Sequence, residues 1–361
     1  MTPRSLGPLL DLAVASRASD LHLKVGAPPR LRIDGVLVNQ PGLPLTPGEV
    51  QAMIEEATGE SPDHTGLDDL DFAVDLPGVG RFRGNAFRSR REWAVVLRHV
   101  RSEIPTVEGL GLPTIVQRWC EATSGLILVC GPTGSGKSTT LAAMVGHINA
   151  ARACHILTIE DPVEFLHADR RASVSQREVH TDTAGFATAL RSGLRQDPDV
   201  ILIGEIRDAE TMRIALHASE SGHLVLATLH AGSALEAVHR VVNLFPADEQ
   251  SVVRGILAEA LIGVLCQRLV WSDARHRRQV VCEVMTGTPR THDAIADAAK
   301  TAALPDIIAD GDHYGMRTLM QDAALAVISG DLTVAEAESV VPPGSDLRVV
   351  LQRAGYRGAD V

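Results

Sequence analysis

Nine consecutive residues, Gly131-Pro132-Thr133-Gly134-Ser135-Gly136-Lys137-Ser138-Thr139, follow the pattern G-x-x-x-x-G-K-[ST] of a phosphate-binding loop. Glycines let backbone N–H groups close around phosphate oxygens, and a helix beginning there adds unpaired donors and the positive end of its dipole. Lys137 would bring a point charge to the β- and γ-phosphates of a nucleoside triphosphate such as ATP, and the hydroxyl of Ser138 can ligate Mg²⁺. The flanks agree: the apolar run Leu126–Cys130 has strand length, and Leu141, Met144, Val145 and Ile148 recur at helical spacing behind the loop.

Two acidic stations and a histidine pair stand in comparable places. Glu205 follows the apolar run Val200–Ile203, where the acidic partner of a phosphate loop holds Mg²⁺ through water; a glutamate there can also polarise the attacking water. Glu160, Asp161 and Glu164 follow the run His155–Ile159, and a carboxylate there can orient water for in-line attack. Asp161 precedes Pro162 and is equally a turn initiator. His223 and His230 bracket the run Leu224–Leu229, and His230, at its C-terminal end, is placed to contact a γ-phosphate and report its loss. Metal ligation by the pair is not expected, because no further His or Cys stands at ligand spacing.

Elements that position these groups follow from the pattern. Four near-continuous apolar runs separated by helical segments predict an α/β fold with a parallel sheet covered on both faces. Ligands of such sheets bind outside the carboxyl ends of the strands, so the loop, the acids and His230 are expected to converge. Ahead of this region residues 1–101 read as a small α+β domain. A helix is predicted over 6–17, a strand over Asp20–Val25, a hairpin around Asp34-Gly35, a helix over Val50–Ala57, and strands over Asp71–Asp75 and Arg81–Phe87 around a Pro77-Gly78 turn. Arg81 and Arg83 share a strand face, and Arg88, Arg90, Arg91, Arg98 and Arg101 follow closely. These arginines either protect a solvated edge or face an anion, such as a nucleotide held by another subunit.

A linker is expected over 102–112, where Ile104-Pro105 and Leu112-Pro113 stand, then a core domain over 113–290 and a helical region over 291–361. Helices are predicted over Leu235–Val242, Glu249–Leu269, Asp293–Ile308 and Met316–Ile328, with a short strand at Val280–Met285. The last twenty residues, with Pro342-Pro343-Gly344, carry little pattern and are expected to be loosely held.

Composition narrows the class. The chain has 361 residues, net charge −11 and an isoelectric point near 5.7, which disfavours nucleic acid as a partner. Five scattered cysteines with no C-x-x-C spacing predict buried thiols rather than a disulfide framework or zinc ribbon. Met1-Thr2-Pro3-Arg4 opens no signal sequence, and no apolar run reaches the ~18 residues of a membrane span, so a cytoplasmic location is expected.

The order phosphate loop, Thr158-Ile159-Glu160-Asp161-Pro162-Val163-Glu164, Gly204-Glu205-Ile206-Arg207-Asp208, and Gly222-His223 to Leu229-His230 resembles the secretion-ATPase superfamily, whose motifs are called the Walker A, Asp box, Walker B and His box. That family drives type II secretion and type IV pili, and the likeness is greatest to its pilus-retraction branch. Supporting stretches are Ala18–Leu23, Gly80–Phe87, Gln176–His180, Leu194–Asp199 and Glu283–Pro289. The resemblance covers roughly residues 5 to 330 and implies a PAS-like N-terminal domain and a RecA-like P-loop NTPase core. It further implies a homohexameric ring hydrolysing Mg-ATP at the inner-membrane base of a pilus, turning a platform protein. It implies Glu164 and Glu205 as catalytic carboxylates, and Arg81, Arg83 and Arg98 as phosphate contacts. Where the retraction branch has an Arg-Asn pair, this chain has Ala296-Asp297. Extension or type II secretion ATPases and an accessory role beside a retraction ATPase therefore stay open. From other classes, a DNA-transport motor is disfavoured by the acidic charge, and a non-hydrolysing nucleotide-binding factor is separated by a turnover assay.

Overall fold

The computed structural model describes residues 5–33, 35–64, 66–76, 78–100, 103–342, 344–353 and 356. Asp34, Pro77, Arg101, Pro343 and the opening Met1-Thr2-Pro3-Arg4 lie outside them. The chain divides into two units, one up to Glu103 and one from Ile104.

Among the described residues, the first unit carries one antiparallel sheet and two helices, α1 (Leu6–Ala15) and α2 (Pro47–Thr58). Its strands are β1 (Asp20–Lys24), β2 (Arg30–Ile33), β3 (Val36–Asn39), β4 (Asp69–Leu76), β5 (Gly80–Ser89) and β6 (Glu92–His99), in spatial order β3-β2-β1-β6-β5-β4. Helix α2 starts three residues before its apolar periodicity. Thr46 and Glu49 form a reciprocal capping box around Pro47, which occupies the helix start, where its missing N–H is not needed. Strand β6 pairs with both β1 and β5 and is central, although no strand is predicted there; its apolar run Trp93–Leu97 is the signal that could have found it. One sheet face buries Leu21, Leu31, Phe82 and Leu97 beneath the helices, with Leu10, Val50 and Ile54.

Arg81, Arg83 and Arg98 lie on the opposite face, since Arg83 is directly across from Arg98 and Arg98 from Asp20. Arg98 Nε donates to Asp20 Oδ1 at 2.9 Å, and Arg81 approaches Asp75 at 3.7 Å. Arg88 has a structural post: it pairs with Asp63 and its guanidinium lies 4.3 Å from the Trp93 ring centroid.

The second unit is a seven-stranded sheet flanked by helices. In chain order its elements are α3 (Ile115–Cys120), β7 (Gly125–Cys130), α4 (Lys137–Ala151), β8 (His155–Glu160), β9 (Ser173–Glu178), α5 (Phe186–Gly193), β10 (Val200–Ile203), α6 (Ala209–Glu220), β11 (Leu224–Leu229), α7 (Ala234–Asn243), α8 (Gln250–Ala260), β12 (Leu261–Ser272), β13 (Arg277–Thr286), α9 (Pro289–Ala296), α10 (Leu304–Ala309), α11 (Leu319–Ile328), α12 (Val334–Glu338) and α13 (Leu347–Arg353). The spatial order is β13-β12-β7-β11-β10-β8-β9, parallel except for β13. Alternate residues of β7 enter different cores. Leu126, Leu128 and Cys130 pack on one face, Ile127 and Val129 on the other, as a sheet covered on both sides requires. Val107 and Leu112 are buried in the second of these cores. Among the described residues, no helix is long and apolar enough to cross a membrane.

Three expectations are corrected. The helix expected over Glu249–Leu269 ends at Ala260, and the rest is β12. Val253, Leu257, Ala260, Leu261, Val264 and Leu265 hold helical spacing straight across the change, so periodicity could not register it. The free edge of β7 and the ten-residue pairing with β13 made the remainder a strand. The helix expected over Asp293–Ile308 is broken between Ala296 and Leu304, and the second piece begins with Pro305 in its first turn, where its missing N–H is tolerated. Part of the last twenty residues is held: Leu347 and Leu351 are buried with Val270 and Val281 of β12 and β13.

Gly263 shows how tightly β12 is docked. A Cβ there would lie 2.3 Å from the Trp119 ring on α3. Gly263→Ala is expected to destabilise the protein by roughly 1–3 kcal/mol, because a packed indole cannot retreat. Urea unfolding followed by circular dichroism would measure it; an unchanged midpoint would contradict this docking.

Candidate nucleotide site

Strand register decides which groups meet. Cys130 pairs with Leu229, Ala227 with Ile203, and Ile203 with Ile159. The residues that follow each strand therefore emerge along one carboxyl edge: Gly131, His230, Gly204-Glu205 and Glu160. Gly204 N donates to Ile159 O at 2.8 Å, and a Cβ on Gly204 would meet Glu160 Cα at 3.2 Å, so glycine is what allows the two strand ends to approach.

Gly131, Gly134 and Gly136 hold φ of 147°, 79° and 90°, values that L side chains rarely adopt. Gly136 is the N-cap of α4, which has neither a side-chain cap nor an acid in its first turn. Its N–H donors and positive dipole end are left for an anion. Pro132, Thr133 and Gly134 form an exposed rim, whereas Ser135 is buried and its hydroxyl oxygen has no hydrogen-bond partner among the described residues. Lys137 Nζ donates to Gly131 O at 2.9 Å and Pro132 O at 3.0 Å, which uses two of its three protons. Burial lowers the Lys137 pKa, against the opposing pull of Glu205 and Cys130. An orphan hydroxyl, left-handed glycines, an uncompensated helix start and a cation bound to the loop all fit a phosphate group.

Glu205 has both carboxylate oxygens engaged. His230 Nε2 lies 2.9 Å from Oε1, and Arg207 Nη2 donates to Oε2 at 2.6 Å. Burial alone would raise its pKa, but the Arg207 hydrogen bond and charge, with His230 and Lys137 adding to them, hold it below the usual range. The result is an oriented carboxylate kept ionised. Thr228 Oγ1 donates to Gly204 O at 2.5 Å, fixing the peptide that carries it.

Glu160 is the inward acid of the second station. Thr158 and Gln176 donate to its Oε1 at 2.7 and 3.2 Å, and burial raises its pKa against these bonds. Glu164 is exposed on the turn beyond, with its backbone N–H bonded to Glu160. Ser138 presents an exposed hydroxyl on the first turn of α4, and Thr139 lines a neighbouring cavity. Ser138 and Glu205 suit Mg²⁺, which keeps several waters and takes few protein ligands. Among the described residues, no cluster of three or more His, Cys, Asp or Glu is built to hold a metal.

His223 is not brought to this edge. It precedes β11 at the opposite end of the sheet, roughly 20 Å of strand from His230. Its Nδ1 lies 3.0 Å from Ala218 O and 3.2 Å from Ser221 Oγ, and its carbonyl accepts from Gly125 N. Arg81, Arg83 and Arg98 belong to the first unit.

Residues 2–338 match the family described as "Type II/IV secretion system protein". The chain belongs to that family. This secretion-family chain is 45% identical over 315 residues to the "Type IV pilus retractation ATPase PilT" of Pseudomonas aeruginosa, covering 86% of the chain and 90% of that protein. It is 36% identical over 354 residues to the "Type IV pilus ATPase PilU" of the same organism, covering 98% and 92%. It superposes on a crystal structure of the pilus retraction motor PilT with bound ADP at a TM-score of 0.88 and 37% identity, covering 96% of this chain and 99% of that one.

Gln267 of this family member's site escaped sequence reasoning, as did the ion pair that Arg207 makes with Glu205. Arg207 stands two residues after Glu205, a spacing that could have suggested the ion pair. Gln267 lay inside an expected helix and carried no signal. Its buried amide donates from Nε2 to Ser135 O at 2.6 Å and accepts at Oε1 from Thr140 Oγ1 at 2.9 Å. Asp208 proves to be a helix N-cap, accepting from Thr211 N at 2.8 Å.

Proposed function

We propose that this chain is the ATPase subunit of a homohexameric motor that powers type IV pilus retraction. The carrying observation is Glu205, clamped by His230 and Arg207 beside a phosphate loop whose lysine and helix start face the same strand edge. The similarity to PilT over nearly the whole chain supports the pilus assignment. In this reading the phosphates lie on Gly131–Thr139, and the nucleoside enters the adjoining cavity of about 190 Å³, whose walls include Leu110, Leu112, Leu269 and Val280. Mg²⁺ on Ser138 and, through water, on Glu205 would offset phosphate charge. Glu205 or Glu164 orients the attacking water, and His230, in direct contact with Glu205, registers the loss of the γ-phosphate. Arg81, Arg83 and Arg98 of residues 1–101 act on a nucleotide held by a neighbouring subunit. Residues 113–290 form the ATPase domain, and 291–361 form its helical extension. The partners are five further copies and an inner-membrane platform protein, which gives a cytoplasmic, membrane-peripheral location; no nucleic acid is required.

A deletion strain tests this. Surface pili should accumulate and twitching should cease; a strain with no pili would point to extension instead. A second reading, an accessory ATPase beside a retraction motor, is favoured by Ala296-Asp297 in place of the Arg-Asn pair. Full twitching after deletion, with a PilT-type partner present, would favour it.

A further inference from the structure

Gln267 stands on β12 among apolar residues, 1% exposed, and both side-chain bonds described above go to the loop and to α4 rather than to its own sheet. A buried amide costs free energy unless bonded, and leucine would fill this strand position without that cost. What the amide holds is the carbonyl of Ser135 and the hydroxyl of Thr140, on either side of the Gly136-Lys137 turn. In a trans peptide the C=O and the following N–H point in opposite directions. Anchoring the Ser135 carbonyl on Gln267 therefore turns the Gly136 N–H away from β12. The loop glycines answer to the same residue: a Cβ on Gly131 would lie 2.5 Å from Gln267 main-chain O, and one on Gly136 would lie 3.1 Å from its Nε2.

We propose that Gln267 is a positioning residue for phosphate recognition, which sets the Ser135–Gly136 peptide so that its N–H faces the bound phosphates. The inference rests on the nucleotide reading above. Gln267 touches no reacting atom; it acts through the loop, and it also lines the adjoining cavity given above to the nucleoside. Its loss should therefore weaken phosphate-bearing ligands more than the nucleoside, whereas a residue that only lines the nucleoside cavity would affect both alike.

The test uses the full-length chain, with ADP titrated directly and adenosine as a competitor. Gln267→Met keeps length and packing but makes neither bond. ADP affinity should fall roughly tenfold or more, as for an orphaned buried carbonyl, with a clearly smaller loss for adenosine. Thr140→Val removes only the second bond and should cost ADP affinity about threefold. ADP binding by Gln267→Met within about twofold of the parent protein, or an equal loss for adenosine, would overturn the proposal. If Gln267→Met does not fold, unchanged ADP affinity in Thr140→Val overturns it. Failure of the parent protein to bind ADP would instead count against the nucleotide reading itself.

Discussion

Lys137→Ala is expected to abolish ATP turnover, with a loss of at least ~10²–10³-fold, the scale on which a preorganised charge contributes to a transition state. Two effects combine. In the proposed reading the ammonium supplies charge to the developing negative oxygens, and no other cation among the described residues is bonded into the loop. It also ties Gly131 and Pro132 carbonyls together, so its removal frees a rim that is otherwise exposed. The strand and helix beneath are untouched: Leu126–Cys130 and the buried face of α4 pack without it. The variant should therefore keep its circular dichroism spectrum and melting temperature while phosphate release vanishes. Hydrolysis at the parental rate by the purified variant would show that the site has been wrongly assigned.

Glu205→Gln is expected to separate binding from chemistry. In the proposed reading the phosphate grip consists of loop N–H groups and Lys137, none of which the substitution alters. The carboxylate is different. Its two oxygens accept from Arg207 and His230, and an amide can accept on only one side. The NH₂ group then meets a neighbour that is itself a donor, and the charge that holds both partners is gone. Nucleotide affinity should change by only a few-fold, while turnover falls by about 10²–10⁴, the range of a lost general acid–base or water-orienting group. Arg207 and the charges beyond it hold Glu205 ionised with a depressed pKa, so its strength lies in orientation and charge more than in avidity for a proton. Stopped-flow binding beside steady-state hydrolysis checks this. Lost binding with normal turnover per bound nucleotide would contradict the role given to Glu205.

The sheet was legible because its strands are short, apolar and buried on both faces; Val200–Ile203 and Leu224–Leu229 have the ends that the sequence predicts. The phosphate loop was legible because its chemistry needs glycines and a lysine at set intervals along one stretch. What failed was long-range. Beyond Ala260 the apolar spacing suits helix and strand equally, and only the edge of β7, more than a hundred residues away, decides between them. Hidden with β12 was Gln267, whose contacts are 132 and 127 residues distant. The histidine pair looked symmetrical in sequence, but a six-residue strand separates its ends, and only one end carries the loop.

By itself, then, the sequence determined the local chemistry: a phosphate loop, an acid after each of two strands, a histidine after a third, and the alternation that makes a parallel sheet. Each of these signals spans only a few neighbouring residues, where backbone geometry acts directly. Tertiary structure alone decided which neighbours those groups have. Glu205 became a carboxylate clamped between Arg207 and His230, Glu160 a half-buried one held by Thr158 and Gln176, and the loop a structure braced from β12. Strand register and burial set such contacts, and both depend on segments far apart in the chain.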